Sequence, residues 1–288
     1  MGSIIGIVIT FAMVFGGYTI AGGHMEIILH SLPYEMMMIG GAAVGSFFVS
    51  NDLGVVKHTG GDIVKVFTGP RWKKQDYQDL LCLMFELIKI AKESPVEIEA
   101  HIEGPEESAI FNRFPKIAKD KAAVELICET IRSMIMNFNN VHQVEEILEK
   151  QLESLHHDNL HGAHALQKMA DSLPALGIVA AVLGVIKTMA SIDKPPEILG
   201  QMIGGALVGT FLGVFLAYGL VGPFADKVKA TYDDEQTFYN IIREALVASL
   251  NKHTPQLCVE VARRSAPRKV RPTFTDLEDA LRNMKDAA

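Results

Sequence analysis

Two long apolar runs in the second half of the chain constrain its fold more than any other feature. The first is Ser172 to Ile192 and the second is Ile198 to Phe224, and neither contains an Asp or a Glu. Both runs are rich in Gly and Ala, which allow one helix backbone to approach another closely. Because a bilayer core is crossed by roughly 20 helical residues, the sequence predicts two closely packed membrane-spanning helices here.

Two further runs near the N-terminus are long enough to cross a bilayer. Ser3 to Ala21 has no charged residue, and Pro33 to Ser50 has only Glu35, which we expect near one edge of the span, within reach of water. Lys187 interrupts the third run near its far end, where a long side chain can reach the surface. No basic segment precedes the first run and no Ala-x-Ala site follows it, so we expect an uncleaved helix.

The distribution of basic residues predicts an orientation. Residues 51–171 hold 14 of the 27 Lys and Arg, and residues from Gly222 onward hold 11. Because positive segments stay in the cytoplasm, we expect both termini there and only the short loops Ala21 to Pro33 and Asp193 to Pro196 outside. Residues 51–171 also contain 20 Asp and Glu, and this acidic balance disfavours a nucleic-acid partner.

The sequence therefore predicts an all-α membrane protein with four transmembrane helices. We expect a cytoplasmic helical domain between spans 2 and 3 and a cytoplasmic C-terminal helical tail. The four segments are residues 1–50 (spans 1 and 2), 51–171 (the cytoplasmic domain), 172–224 (spans 3 and 4) and 225–288 (the tail). Cys82, Cys128 and Cys258 all fall in cytoplasmic segments, so we expect buried thiols and no disulfide.

Helical periodicity and breaker residues divide the polar segments. The predicted helices are Gln75 to Lys92, stopped by Ser94-Pro95, then Glu106 to Phe114, Ala118 to Phe138, Val141 to Met169 and Ala225 to Asn251. We expect the Val141 helix to run directly into the third span and the Ala225 helix to extend the fourth. Thr275 to Glu278 has the spacing of a capping box that opens a last helix. No strand is predicted.

Five ordered motifs carry a family resemblance that covers nearly the whole chain. They are VFGGY (Val14 to Tyr18), GSFFVSN (Gly45 to Asn51), RFPKI (Arg113 to Ile117), DSLPALGIVAAVLGVI (Asp171 to Ile186) and GGALVGTFLGVFLAYGLVGP (Gly204 to Pro223). In this order they resemble the MotA/PomA family of bacterial flagellar stator subunits. ExbB and TolQ proteins, which energise envelope transport, share the last two spans but typically have three spans, so the first helical pair favours a stator subunit.

The resemblance implies a non-enzymatic, ion-conducting subunit of the bacterial inner membrane that needs no cofactor. Its implied partners are a MotB-type single-span subunit that binds peptidoglycan and supplies an essential Asp, the rotor protein FliG, membrane lipid, and further copies in a ring of five. Because we expect no acid deep in any of the four runs, another chain must supply one. A self-contained secondary transporter would need more polar groups at the membrane midplane than Thr210 and a few backbone breaks.

Four residues of the last two spans match functional positions of that family. Pro174 and Pro223 match two prolines that couple ion passage to motion, although Pro174 could instead sit in the first turn of a helix capped near Ser172. Pro223 could instead mark a kink at the membrane edge. Thr210 matches a threonine that faces the partner's acid, and the alternative is a hydroxyl bonded to the carbonyl four residues earlier. Ala181 stands where sodium-driven members carry Thr, which favours protons.

Two charged residues match the rotor-facing positions of the family. Lys92 takes the basic position, where Arg is common, and Glu99 takes the acidic one. The intervening segment is one residue shorter and contains a Pro, so Glu93 and Glu97 compete with Glu99. A solvated surface with no rotor contact is the alternative for all four.

One pattern lies outside the family resemblance. His157, His161 and His164 recur at helical spacing on one face, which is compatible with zinc binding, but the surrounding charges favour a solvated helix surface. We therefore expect no metal site in this chain.

Overall fold

The computed structural model describes residues 2–136 and 140–286, and all regular elements in that part of the chain are helices. They are α1 (Gly2–Ile20), α2 (Met25–Ser50), α3 (Leu53–Thr68), α4 (Lys74–Glu93), α5 (Pro95–Glu103), α6 (Ala109–Asn112), α7 (Pro115–Ala118), α8 (Lys121–Ile135), α9 (Val141–Met189), α10 (Pro196–Leu216), a π-helical turn (Ala217–Val221), α11 (Gly222–Leu250), α12 (Pro255–Ser265) and α13 (Phe274–Asp286). The predicted all-helical class is confirmed.

The two longest predicted helices are confirmed as continuous. Helix α9 runs for 49 residues and carries the polar Val141 segment into the third apolar run without a break. Helix α10, the π-turn and α11 form a second unbroken stretch. The predicted stop at Ser94-Pro95 is also confirmed, because the Ser94 side chain accepts a hydrogen bond from the Glu97 N–H at 3.3 Å and Pro95 opens α5.

Several predicted boundaries were wrong. Pro33 lies inside α2, so the predicted loop Ala21 to Pro33 shortens to residues 21–24. The helix predicted over Glu106 to Phe114 forms only as the short α6. The cap of α13 is formed by Thr273 and Asp276 rather than by Thr275 and Glu278, since each backbone N–H donates to the other's side chain. The last two residues of the helix predicted to end at Phe138 lie outside the described residues.

The chain divides into two compact units. The first unit comprises residues 1–69 and 159–231, and the second comprises residues 70–158 and 232–288. Four helical stretches are long and apolar enough to cross a membrane: Gly2–Ile20, Met25–Ser50, Val141–Met189 and Pro196–Leu250. In the first unit, α1 has no buried residue, but Phe11 and Phe15 make ring contacts of 5.2–5.9 Å with Phe211 and Phe215 of α10.

The second unit is built around α4. The middle of α4 is buried on more than one face, because five of its residues have no exposed surface: Leu80, Leu81, Leu83, Met84 and Leu87. Helices α5, α12 and α13 pack against it. The Trp72 ring stacks on Phe238 of α11 with centroids 3.9 Å apart.

The RFPKI motif has a structural explanation within the second unit. Arg113 forms an ion pair with Glu86 of α4, and Lys116 pairs with Asp76 at the start of the same helix. Pro115 occupies the first turn of α7, where its missing N–H costs no hydrogen bond, and Ile117 is buried. The segment from Arg113 to Ile117 is therefore held on α4 by two ion pairs, and the Ile117 side chain joins the same buried core.

The three cysteines are free and buried, as predicted. Burial raises the pKa of the Cys82 thiol to about 12 and that of Cys128 to about 11. Both thiols therefore stay protonated and unreactive at neutral pH.

Candidate functional site

The backbones of α9 and α10 touch at two glycines. A methyl group added to Gly213 would lie 2.6 Å from the Leu173 carbonyl oxygen and 2.8 Å from the Gly177 Cα. A methyl group added to Gly177 would lie 2.8 Å from the Gly209 carbonyl oxygen. We call Gly177 and Gly213 the glycine contact. Only glycine, which has no Cβ, lets two helix backbones approach this closely. The close helix packing predicted from the small residues is therefore observed between α9 and α10.

The order of the contacts gives the helix directions. Gly184 of α9 faces Ala206 of α10, whereas Gly177 faces Gly213, so α9 and α10 are antiparallel. A Cβ on Gly205 would lie 2.8 Å from the Ser31 hydroxyl of α2, and one on Gly209 would lie 2.6 Å from a Glu35 carboxylate oxygen. From Gly205 to Gly209 along α10, the contacted residue of α2 changes from Ser31 to Glu35, so α2 and α10 are parallel.

The position of Glu35 differs from the one expected from the sequence. Glu35 is only 5% exposed, and its Oε2 atom accepts no hydrogen bond from any described residue. It is the eleventh residue of α2, roughly 15 Å along the helix at a rise of about 1.5 Å per residue. Glu35 therefore lies towards the middle of α2 and is buried against α10, rather than near the end of an apolar helix as expected from the sequence.

Ala181 of α9 lies against Gly209 of α10, the residue before Thr210. A Cβ on Gly209 would lie 3.2 Å from the Ala181 backbone nitrogen, and Thr210 is the next residue of α10. The Thr188 and Thr231 hydroxyls donate to carbonyls four residues earlier, at 2.9 and 2.8 Å. No such bond is present for Thr210 within the described residues, so the back-bonded alternative is not observed.

Pro174 lies deep inside α9. The helix passes through Ser172 without a new start, and the Ser172 hydroxyl donates to the Met169 carbonyl at 2.8 Å. The alternative of a first-turn proline was therefore wrong. Pro174 has no N–H to offer the Ala170 carbonyl, and a proline in a helix interior costs about 3 kcal/mol unless neighbours compensate.

Pro223 follows the π-helical turn directly. The Gly222 N–H donates to the Ala217 carbonyl five residues earlier, which defines the wide turn. A Cβ on Gly222 would lie 2.8 Å from that carbonyl oxygen, so the turn itself requires glycine. Wide turns of this kind interrupt the regular hydrogen-bond ladder and recur at functional positions. A local kink therefore stays open as the alternative to a coupling role for Pro223.

Lys92 and Glu99 belong to the second unit. Lys92, in the last turn of α4, is exposed, and its ammonium group donates to the His253 carbonyl in the α11–α12 connection. Glu99 points outward from α5, because Ile98 and Ile102 occupy its buried face. Glu93 and Glu97 are exposed as well, so exposure does not separate the three acidic candidates. His157, His161 and His164 are exposed on α9.

If the chain acts in a flagellar stator, as the family resemblance implies, replacing Pro174 with alanine is expected to raise the thermal midpoint of the purified stator complex and to slow swimming several-fold. Alanine restores a helical hydrogen bond and removes a cost of about 3 kcal/mol, so stability should rise while mobility falls. Both quantities should be measured in the same strain. Pro33→Ala is the matched control, because Pro33 is also inside a helix but is exposed. Unchanged swimming in Pro174→Ala would contradict a coupling role.

Comparison with known proteins places the chain in a family. Residues 4–95 match the family described as Motility protein A N-terminal, and residues 119–241 match the MotA/TolQ/ExbB proton channel family. Motility protein A of Salmonella typhimurium is 34% identical over 98% of this chain and 96% of its own length. Chemotaxis protein LafT of Vibrio parahaemolyticus is 32% identical over 96% of this chain and 97% of its own length.

Solved structures share the fold. The C. jejuni MotAB structure superposes with a TM-score of 0.73 at 20% identity and covers 95% of this chain and 98% of the matched chain. The flagellar MotAB stator complex of Bacillus subtilis gives a TM-score of 0.64 at 20% identity, covering 89% and 92%. The family matches and the long alignments agree with the motifs found in the sequence. The chain belongs to the motility protein A branch of the MotA/TolQ/ExbB proton channel family.

Proposed function

We propose that the chain is the proton-conducting, torque-generating A subunit of a bacterial flagellar stator. The observation that carries this proposal is the meeting of α2, α9 and α10 at Gly209, beside the unbonded hydroxyl of Thr210. A hydroxyl that is free of its own helix can bond a carboxyl or a water on an ion path. Relatives of nearly full length are named motility protein A, and structures of the same fold are titled MotAB stator complexes.

In this proposal the chain crosses the bacterial inner membrane four times with both termini in the cytoplasm. Residues 1–50 form spans 1 and 2, residues 172–224 form spans 3 and 4, and residues 51–171 and 225–288 are cytoplasmic. The concentration of Lys and Arg in the two polar segments supports this orientation. The parallel α2 and α10 support it too, because the second and fourth spans of such a chain must run in the same direction.

The proposed partners differ in the surfaces they use. A MotB-type single-span subunit would place its Asp opposite Thr210. Further copies of this chain, five in all, and lipid would cover the exposed apolar side chains of α1, which buries none of its own residues. FliG would meet the exposed Lys92 and Glu99 in the second unit.

A proton is the proposed ion, and two prolines are the proposed coupling elements. Ala181 supplies no side-chain oxygen beside Thr210, whereas a sodium ion needs several oxygen ligands at once. Pro174 and the π-turn before Pro223 each interrupt a helical hydrogen-bond ladder next to the site. An ExbB/TolQ-like energiser is the alternative, and the match of residues 4–95 to the motility protein A N-terminal family favours the stator.

Reconstitution in vesicles tests this function. The chain together with a MotB-type partner should pass protons under an imposed gradient, and the chain alone should not. In cells, deletion of the chain should abolish swimming, and swimming speed should follow the proton-motive force and ignore external sodium. Rapid proton flux through the chain alone would refute the need for a partner. A speed that rises and saturates with sodium at fixed pH would refute the choice of ion.

A further inference from the structure

A cavity of about 470 Å³ lies between α2, α9 and α10 in the first unit. It sits at the end of the unit that carries the two short connections, residues 21–24 and 190–195. Apart from Glu35, its polar lining consists of His30, Ser31, Tyr34, Lys187, Thr188 and Gln201. Tyr34 is 64% exposed, so the cavity communicates with the surface. The rest of the lining is apolar and includes Met38, Leu183 and Met202. A cavity of this size with several polar groups is suited to hold water.

Glu35 lines the same cavity, with its buried, unpartnered oxygen against the α10 backbone at Gly209. The other ionisable groups of the lining are His30 and Tyr34 on α2 and Lys187 on α9, and α10 contributes none. No described residue forms an ion pair with Glu35. A carboxylate that is buried without a partner is costly as an anion and is relieved by binding a proton.

Two glycines make room for this arrangement. Gly205 accommodates the Ser31 hydroxyl and Gly209 accommodates the Glu35 carboxyl. The two glycines are four positions apart on α10, as Ser31 and Glu35 are on α2. An alanine at either position would place a methyl group within 2.8 Å of the oxygen it faces. The Ser31 hydroxyl and the Glu35 carboxyl of α2 therefore lie against α10, and the carboxyl faces Gly209, the residue before Thr210.

We propose that Glu35 is a proton-binding site of this chain, which takes protons from the cavity and passes them towards Thr210. This inference rests on the proposed function and on the orientation that places the two short connections outside. It gives the A subunit its own acid on the entry side of the path, in addition to the acid of the partner. The bound species is a proton, because Glu35 is the single carboxylate of the cavity lining, and neutral hydroxyls and an amide compensate poorly for the charge of a desolvated metal cation.

Proton flux and chemical labelling test the proposal in the reconstituted complex. Glu35→Gln keeps the shape but cannot ionise, so flux should fall about tenfold or more, as for the loss of a proton-transfer group. Glu35→Asp should restore part of the flux and shift its pH profile. Glu26→Gln is the matched control, because Glu26 is an exposed carboxylate on the same helix, and it should conduct like the wild type. Wild-type flux in Glu35→Gln at every pH would overturn the proposal.

A second measurement does not depend on conduction. Dicyclohexylcarbodiimide reacts with protonated carboxyls in apolar surroundings, and mass spectrometry of the modified peptide identifies the residue. Glu35 in the wild-type complex should be labelled, less so as pH rises, and Glu26 should not. No labelling of Glu35 at any pH would overturn the proposal, even if Glu35→Gln failed to assemble. A wild-type complex that labels at Glu35 but conducts no protons would count against the stator function and not against the proton site.

Discussion

Replacing Gly213 with alanine is expected to prevent assembly of the stator complex and to abolish swimming. The added methyl group would meet the Leu173 carbonyl oxygen at 2.6 Å and the Gly177 Cα at 2.8 Å. Both obstacles are backbone atoms, which cannot rotate away as a side chain can, so α9 and α10 would have to separate. Overpacking a core costs typically about 1–3 kcal/mol even where side chains can yield. The measurement is the yield and thermal midpoint of the purified complex, alongside swimming in soft agar.

Gly200→Ala is the control for this prediction. Gly200 lies in the same helix, and among the described residues no side chain and no backbone of another helix lies within 4 Å of the position that its Cβ would occupy. Alanine is favoured over glycine in a helix by up to about 1 kcal/mol, so this variant should assemble and swim normally. Any loss confined to Gly213→Ala then belongs to the glycine contact. If both variants behaved alike, close approach of α9 and α10 would not be a requirement of the fold.

Reversing Lys92 and Glu99 together is expected to reduce swimming speed about tenfold or more, whereas neutralising either residue should slow it only modestly. An exposed ion pair contributes about 0–1 kcal/mol, so one lost contact is tolerated. Reversal places like charges opposite each other, which costs several kcal/mol across an interface. Complementary reversals on FliG should recover part of the speed. Swimming speed, stator recruitment and proton flux should be measured in the same strains.

The structure supplies two controls for the rotor contact. Lys92→Arg keeps the positive charge and the donor to the His253 carbonyl, so it separates loss of charge from loss of that bond. Reversing the exposed pair Glu146 and Lys150 on α9 changes the same number of charges at another surface. Both controls should swim normally. Full motility in the Lys92→Glu, Glu99→Lys variant would show that the rotor contact lies elsewhere, with Glu93 and Glu97 next to test.

The helices were predictable because local patterns determine them, and much of the site was not because it depends on distant contacts. The spacing of Leu80, Met84 and Leu87 indicates α4 directly, and Ser94-Pro95 marks its end. Glu35 was misplaced because the residue that covers it, Gly209, lies in another helix, and nothing near Glu35 in sequence reveals that contact. The start of α2 was predicted too late because of Pro33. A proline usually interrupts a helix, but it is tolerated inside one that crosses a membrane.

The candidate site was predictable to a similar degree. The small-residue pattern of the last two spans indicated that they pack closely, and Gly177 and Gly213 do so. The pattern did not reveal which glycines touch each other, because that depends on the antiparallel register of α9 and α10. The bond from Lys92 to the His253 carbonyl joins residues that are 161 positions apart and has no local signal either.

The burial of Glu35 against Gly209 has a consequence for the order of events during biosynthesis. Gly209 follows Glu35 by 174 positions in the chain. At roughly 5–20 residues per second, the ribosome needs about 9 to 35 seconds to add that length. During this interval the carboxyl has no α10 to cover it, so we expect α2 to reach its final depth only after the fourth span has entered the bilayer. Helix α1 contacts α10 through Phe11 and Phe15, but it buries no side chain, so no buried charge of its own depends on α10.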